Sequence, residues 1–277
     1  MGKHETSIYR KVIITFTVIL LGVLILVGAV VNRFCMSFIK EQRITYNTQV
    51  LGEVEYEFKE LYMQMNQLLT SLGEISYTAP LDESTFQKIK ADVEFEDSIQ
   101  NMVYLNGFNN FCEGVLFYDS EEELHYVGTG PLTKGYSFSD DEYFSGITTE
   151  MSYCAVIGPM PEQYKPEHIQ KNTVVGFSKR KMGKQVEGSL PPFVMVAVKF
   201  NKIEEMLDKL LSTNTGFFLM DQTGALLDSA SLSSLNWSDE TLNEAKKKIL
   251  KNQEHTQTIS KDGILLTSIR LNNYGWI

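Results

Sequence analysis

The residue types that most often carry catalysis are scattered through this sequence. It has no His-Glu-x-x-His, Cys-x-x-Cys, Gly-Lys-Ser/Thr or Gly-x-Ser-x-Gly motif. The adjacent Asp140 and Asp141 fit the solvated start of a helix better than a pair of catalytic carboxylates. The four histidines stand far apart, at His4, His125, His168 and His255. We therefore expect no catalytic residues, no metal site and no cofactor within these 277 residues.

The composition indicates a folded chain with a large aromatic core. Hydrophobic residues make up 43% of the chain, which includes 16 Phe and 13 Tyr. The formal net charge is −10, whereas a nucleic-acid-binding surface needs a basic patch to neutralise phosphates. We therefore exclude nucleic acid as a partner of this region.

The most informative segment is the stretch from Val12 to Val31. Its twenty residues carry no charge, and fifteen of them are Val, Ile, Leu or Phe. At about 1.5 Å per residue a helix of this length spans roughly 30 Å, the thickness of a bilayer core. The apolar core of a cleaved signal peptide is usually shorter. The segment is therefore predicted to be a transmembrane helix.

Flanking charges set the orientation of this helix. Residues 1–11 carry Lys3, Arg10 and Lys11 against Glu5, and a basic flank stays in the cytoplasm. Residues 34–277 would then be extracellular, with 21 basic and 34 acidic residues and a net charge of −13. Such a domain suits sugars, cations and neutral solutes better than anionic lipid.

The three cysteines are too few for a disulfide scaffold. Cys35 would lie at the membrane surface. Cys112 and Cys154 could form a disulfide bond outside the cell, but buried free thiols are the interpretation that we favour.

A long helix is predicted to leave the membrane. Its apolar residues are spaced three and four apart over three heptads, so they form one seam. The seam consists of Leu51, Val54, Phe58, Leu61, Met65, Leu68 and Leu72. Two interpretations stay open: the seam packs on the protein's own domain, or it forms a parallel homodimer.

Two sheet-forming regions follow the helix. In the first, Gly114–Asp119 and Glu123–Val127 flank a polar turn, and 173–179 and 192–200 are further strands, with a helix capped by Asn201 after them. The second begins at Gly216 with a strand, a turn and another strand. It continues with a helix that ends near Lys251 and a hairpin around Asp262-Gly263. The apolar, strand-like end of the chain suggests a fragment.

Taken together, this order of elements resembles the double Cache (PAS-like) extracellular sensor domains of bacterial transmembrane receptors. Three stretches over roughly residues 34–277 carry the resemblance. Phe138 to Phe144 is similar to the family's F-S-D-R-x-Y-F segment, 193–211 to its strand-then-helix link, and 216–224 to a hairpin of its second unit. The resemblance implies an α+β fold with two antiparallel-sheet units. The parts are a cytoplasmic amino terminus (1–11), a transmembrane helix (12–31), a signalling helix (34–78), a membrane-distal ligand unit (79–200) and a membrane-proximal unit (201–277).

In this family the distal unit holds a small-molecule pocket. Amino-acid-binding members place an Arg where this chain has Asp141, which argues against amino-acid sensing and for a neutral or cationic solute, with a sugar as the first choice. Phe117 and Phe177 also suit a core, and Asp141 also suits the amino end of a helix. The pocket candidates are Phe117, Tyr126, Tyr136, Asp141, Tyr143, Tyr153 and Phe177.

The sequence thus predicts the small-molecule-sensing region of a transmembrane receptor, most simply a two-component sensor histidine kinase that dimerises through its long helix. Three other outputs of the same sensor region are open: an AraC-type regulator, a diguanylate cyclase or a chemoreceptor. A structural exterior domain that binds a protein partner is the remaining alternative. Residues beyond 277 would distinguish the outputs.

Overall fold

The computed structural model describes residues 2–75, 85–118, 124–128, 154–161, 173–181, 192–208, 216–228, 239–261 and 264–277. The chain divides into two compact units. One contains residues 1–49 with 258–267, and the other contains residues 50–257 with 268–277. Tyr136, Asp141, Tyr143 and Tyr153 from the predicted pocket lie outside the described residues.

The first unit is dominated by the amino-terminal part of helix α1, which runs Gly2–Gly73. Its apolar segment is long enough to cross a membrane and is not buried inside the protein. The hydroxyls of Thr15 and Thr17 donate to the backbone oxygens of Lys11 and Ile13, at 2.9 and 2.8 Å. These bonds satisfy both hydroxyls within the helix, so neither one is an obstacle to insertion in hydrocarbon.

In the second unit the apolar seam of α1 faces the protein's own core. Every seam residue from Val54 to Leu72 is buried in one hydrophobic cluster, and Leu51 packs against its edge. Of the two interpretations, the structure therefore supports packing of the seam on the protein's own domain. A homodimer would therefore have to use another face of α1.

Helix α2 runs Thr85–Leu105 and contributes Phe95, Ile99 and Val103 to the same cluster. The chain reverses after it at Gly107, whose φ of 76° is accessible to glycine at little cost. Strand β1 then follows directly.

A five-stranded antiparallel sheet is the centre of the second unit. Its strands are ordered β2-β1-β5-β4-β3, so the first and last strands of this sheet in chain order, β1 and β5, lie side by side. A β-bulge near Glu113 interrupts the pairing of β1 with β5. The strands are β1 (Cys112–Tyr118), β2 (Leu124–Gly128), β3 (Ala155–Pro161), β4 (Thr173–Arg180) and β5 (Phe193–Lys199).

Helix α3 (Phe200–Leu207) follows β5 without a loop. The prediction that Asn201 caps this helix was wrong, because Lys199 occupies the cap position and no side chain caps it. Phe200, Ile203, Met206 and Leu207 are buried, and burial of this apolar face sets where the helix begins.

The second sheet-forming region contains two small sheets. Strands β6 (Leu219–Met220) and β7 (Leu226–Asp228) pair antiparallel, and β8 (Thr256–Lys261) forms the other sheet with β9 (Ile264–Ile269). Helix α4 (Asp239–Lys251) lies between them in the chain. The Arg270 guanidinium donates to the backbone oxygens of Ile249 and Asn252 at 3.0 and 2.7 Å, which places a cation at the carboxyl end of α4.

The turn between β6 and β7 is organised by Asp221. Its Oδ1 accepts hydrogen bonds from the Thr223 amide and hydroxyl and from the Ala225 amide, at 2.7–2.9 Å. Burial alone would raise the pKa of Asp221, but these hydrogen bonds outweigh it and the pKa is lowered. The carboxylate is therefore structural.

The last residues of the chain pair with β6. Met220 and Ile277 exchange two backbone hydrogen bonds of 3.0 and 2.8 Å, and Asp221 bridges Trp276. The apolar ending predicted to be strand-like thus adds to this small sheet. The protein is an α+β protein with a long apolar amino-terminal helix and antiparallel sheets, as the sequence predicted.

Candidate ligand face of the five-stranded sheet

The two faces of the five-stranded sheet have different surroundings. Side chains alternate along a strand, and residues paired across strands share a face. One face, here called the helix-facing side, lies in the hydrophobic cluster that contains the α1 seam. Its strand residues are Val115, Phe117, Val127, Val175, Phe177, Val194, Val196 and Val198.

The opposite side, here called the second face, is also buried. Its residues do not belong to the cluster under α1. Tyr118 and Phe193 stack on it with ring centroids 5.4 Å apart and an interplanar angle of 20°. The buried residues of this face include Leu116, Tyr118, Val174, Ser178, Phe193, Met195 and Ala197.

Small residues form a row across the second face. Gly128 pairs with Gly114, Gly114 with Ala197, and Ala197 with Gly176, so four strands contribute. Tyr126, on the second face, covers part of the row, because a Cβ at Gly114 or Gly128 would overlap its ring. The Tyr126 hydroxyl donates to the backbone oxygen of Glu113 at 3.4 Å. A larger residue at position 114 or 128 would therefore have to displace the Tyr126 ring.

Ser178 is the polar residue at the centre of the second face. It pairs with Met195 on one side and Ala155 on the other, and its exposed fraction is 0%. Its Oγ has no hydrogen-bond partner in the described part of the chain. A buried hydroxyl without a partner costs about 1–3 kcal/mol, so its presence calls for a reason.

An ion pair lies at one end of the same face. The β-bulge places Glu113 beside Gly114, and its carboxylate contacts the Lys199 ammonium at 3.4 Å. Glu113 is buried, whereas Lys199 is partly exposed. The two charges compensate each other, so the pair brings a buried carboxylate to this end of the sheet without a net charge.

The sheet separates the described members of the predicted pocket. Phe117 lies on the helix-facing side, with its ring 5.2 Å from that of Phe95 and the Lys181 ammonium 5.4 Å from its centroid. Phe177 lies on the same side, 6.0 Å from the Tyr274 ring. Tyr126 lies on the second face. The structure therefore does not bring the three together.

Strand β4 is fastened to α1 by its odd-numbered residues. The Lys179 ammonium donates to Thr70 Oγ1 at 2.8 Å and to Asn66 Oδ1 at 3.3 Å. The Lys181 ammonium donates to the backbone oxygen of Ile75, just after the helix ends, at 2.6 Å. Ser178, the residue before Lys179 on β4, faces the other side of the sheet. These hydrogen bonds join the end of β4 to the last turns of α1.

The two cysteines of the sheet region are buried free thiols, and Cys35 is an exposed one. Burial raises the pKa of Cys112 to about 12, with Glu113 adding to the effect and the Gly114 backbone and Lys199 opposing it. Burial also raises the pKa of Cys154 to about 12, against the opposing charge of Lys179. Neither thiol is therefore a nucleophile at neutral pH.

Sequence reasoning missed Ser178 and the row of small residues. The signal was present, because a strand at 173–179 must place Gly176 and Ser178 on the face opposite Val175 and Phe177. The pocket residues were chosen because they are large and aromatic, without regard to which face of the strand each side chain occupies. Within the described residues, no group of three or more His, Cys, Asp or Glu side chains could hold a metal ion.

Solved structures similar to this chain include sensory domains of bacterial chemoreceptors. The sensory domain of the Campylobacter jejuni chemoreceptor Tlp3 with isoleucine bound matches with a TM-score of 0.56 and 11% identity, over 85% of this chain and 91% of that one. The domain of the Pseudomonas aeruginosa chemoreceptor PctC in complex with GABA matches with a TM-score of 0.51 and 14% identity, over 86% and 96%. An extracellular ligand-binding receptor from Desulfohalobium retbaense matches with a TM-score of 0.54 and 10% identity, over 83% and 38%.

No protein-family model and no curated protein matches the chain. At 10–14% identity the structural matches establish the fold. The chain has the fold of Cache-type extracellular sensor domains, as the resemblance in its sequence predicted.

Proposed function

We propose that this chain is the sensing region of a transmembrane receptor and that it binds a small organic solute outside the cytoplasm. The observation that carries the proposal is the buried second face, which is separate from the core under α1 in a chain with a sensor-domain fold. An apolar segment able to cross a membrane at the start of α1 supports the same conclusion.

Each predicted domain has its own role in this proposal. Residues 79–200 form the ligand unit, 201–277 form the membrane-proximal unit, and 34–78 carry the signal toward the membrane helix at 12–31. The contacts from Lys179 and Lys181 to α1 support this assignment, because they connect the sheet of the ligand unit to the end of the signalling helix.

We infer that the solute is neutral or cationic, with a sugar as the first choice. Of the seven residues predicted to contact it, Tyr126 lies on the second face, and it offers a ring and a hydroxyl. Phe117 and Phe177 then act as supports beneath the sheet. Asp141 would accept hydrogen bonds from hydroxyls or pair with an amine.

Amino-acid sensing is the second candidate. The Tlp3 and PctC domains carry isoleucine and GABA in their structures. Arg180 pairs with Phe193 and so lies on the second face, where its guanidinium could bind a carboxylate in addition to its interactions within the protein. Arg180 could thus supply the guanidinium that is missing at Asp141, which weakens the argument against amino-acid sensing.

The output of the receptor is a separate part of the proposal. A sensor histidine kinase and a chemoreceptor fit equally well, since the structural matches named above include chemoreceptor domains. In either case two copies joined through α1 would carry the signal. The membrane is the other partner.

A thermal-shift screen of the whole chain in detergent micelles tests the sensing proposal. The panel contains monosaccharides, betaine and choline, the twenty amino acids and GABA. Ligand binding raises the melting temperature by stabilising the folded state. If no compound of the panel raises it, small-solute sensing is rejected.

Calorimetric titration of the best compound into wild type and Asp141→Ala then tests that residue. Loss of one charged hydrogen bond should weaken binding by roughly tenfold to a hundredfold. Asp97→Ala, an exposed position on α2, is the matched control. Equal affinity of wild type and Asp141→Ala would remove Asp141 from the site.

A further inference from the structure

Ser178 combines three properties that a structural residue does not need. It is fully buried, its Oγ has no hydrogen-bond partner among the described residues, and it stands beside a row of residues with little or no side chain. In a free sensor domain such a hydroxyl is a cost to stability. A ligand that bonds to it would remove that cost.

The row beside Ser178 supports a ligand at this place. Gly176 precedes it by two residues on β4, and Ala197 pairs with Gly176 on β5. Neither residue projects more than a methyl group from the sheet, whereas the neighbouring Met195 and Leu116 do. A flat or slender group can approach the backbone over such positions more closely than elsewhere on the face.

We propose that Ser178 Oγ is a direct ligand contact and that it takes an uncharged hydrogen-bonding group, such as a sugar hydroxyl. This inference rests on the proposed sensing function and adds to it the residue and the chemical class. The residues paired with Ser178 are Met195 and Ala155, which offer no countercharge. An ion placed there would lose its hydration without full compensation.

The charged groups on this face are already engaged. Glu113 and Lys199 pair with each other at 3.4 Å. Arg180, one step along β4 on the same face, has interactions of its own within the protein. A neutral donor or acceptor is therefore the group that fits Ser178 best.

The test compares wild type with Ser178→Ala in the whole chain. Without ligand, Ser178→Ala should melt at the same temperature as wild type or at a higher one, because the variant loses no hydrogen bond. Titrated with the monosaccharide that stabilises wild type most, it should bind about twofold to tenfold more weakly. Ser98→Ala is the control, since that exposed hydroxyl already bonds to the Glu94 backbone oxygen.

Monodeoxy analogues of the same monosaccharide identify the group that Ser178 contacts. One analogue should bind wild type and Ser178→Ala equally, since the bond is already absent, and the others should still distinguish the two proteins. A clear fall in the melting temperature of ligand-free Ser178→Ala would overturn the inference, because Ser178 would then have a partner in the protein.

The remaining outcomes separate this inference from the proposed function. A monosaccharide that binds wild type and Ser178→Ala equally rejects Ser178 and leaves sensing intact. Binding of free amino acids but of no monosaccharide rejects the sugar class and leaves sensing intact. Failure of every compound in the panel rejects both proposals.

Discussion

Tyr274 and Phe58 connect the end of the described chain to helix α1. The Tyr274 hydroxyl donates to the backbone oxygen of Phe58 at 2.8 Å, and the two rings meet edge to face at 5.0 Å. The Phe177 ring of β4 lies 6.0 Å from Tyr274 on its other side. One tyrosine thus touches both the helix and the central sheet, and burial raises its pKa.

Replacement of Tyr274 by Phe should keep the ring contacts and remove the hydrogen bond. The expected loss is about 1 kcal/mol of unfolding free energy, or roughly 2–4 °C in melting temperature. Tyr104→Phe is the matched control, because Tyr104 is 68% exposed on α2. Equal melting temperatures for Tyr274→Phe and wild type would show that the hydroxyl contributes nothing.

The internal packing of the α1 seam can be tested with one residue type. Met65 has an exposed fraction of 0% and Met63 one of 58%, although they are two residues apart. Met65→Ala should lower the unfolding free energy by about 2–5 kcal/mol because it leaves a cavity. Met63→Ala should change it by less than about 0.5 kcal/mol. Urea unfolding measures both, and similar values would contradict internal packing.

The buried thiols predict a loss of stability in alkali. Their pKa is about 12 when folded, against 9.0 as the ordinary value. Above pH 9 the unfolded chain therefore releases protons that the folded chain keeps, so stability falls as pH rises. Each thiol should contribute roughly 1 kcal/mol between pH 9 and pH 10.

Urea unfolding of wild type and Cys154→Ala at pH 8 and pH 10 measures this contribution. The difference between the two pH values should be smaller in the variant. Burial also raises the pKa of Tyr62 and Tyr274, but both tyrosines are present in wild type and in the variant, so their contribution cancels in the comparison. Identical pH dependence in the two proteins would refute the assignment.

A homodimer through α1 remains a prediction, and the structure narrows the face that it can use. The residues Glu53, Tyr56, Glu60, Met63 and Gln67 form an exposed stripe with spacings of three and four. Single cysteines at Tyr56 and Met63, introduced in a Cys35→Ala background, should crosslink in membranes. Cysteines at Leu61 and Met65 should not, and the reverse pattern would exclude this dimer.

The orientation in the membrane is testable with the same chemistry. In the same Cys35→Ala background, which removes the exposed native thiol, a cysteine at Gln42, beyond the apolar segment, should react in intact cells with a maleimide that cannot cross membranes. A cysteine at His4 should react only after permeabilisation, because the basic flank keeps the amino terminus inside. Labelling of the His4 variant in intact cells would reverse the topology.

The sequence was sufficient for features set by local pattern. The apolar helix over 12–31, the seam of α1 and the strands predicted at 114–119 and 192–200 all follow from patterns within one segment. The structure has these two strands at 112–118 and 193–199. The sequence placed the cap of α3 at Asn201, whereas the helix begins at Phe200 with Lys199 at the cap position. Burial of Phe200 outweighed the preference of Asn for a cap.

The candidate site depends on pairings between distant segments. Strand β1 pairs with β5, and the contact of Leu116 with Met195 joins residues far apart in the chain. A shift of one residue in that pairing would move every side chain to the other face. Without the register of strand pairing, the sequence could not show that Tyr126 lies on one face of the sheet and Phe117 and Phe177 on the other. Nor could it show that Gly114 and Gly176 lie in one row across the sheet.

Successive side chains along β4 point to opposite faces of the sheet, so substitutions at neighbouring positions affect different contacts. Substitutions at even positions such as Ser178 alter the second face, whereas substitutions at Lys179 and Lys181 remove hydrogen bonds to the end of α1. If Ser178 contacts the ligand as proposed, substitutions on that side of the strand would change the compound that is bound, while the contacts of Lys179 and Lys181 with α1 would stay the same. Under that proposal, a new ligand specificity would need no change in the contacts between β4 and α1.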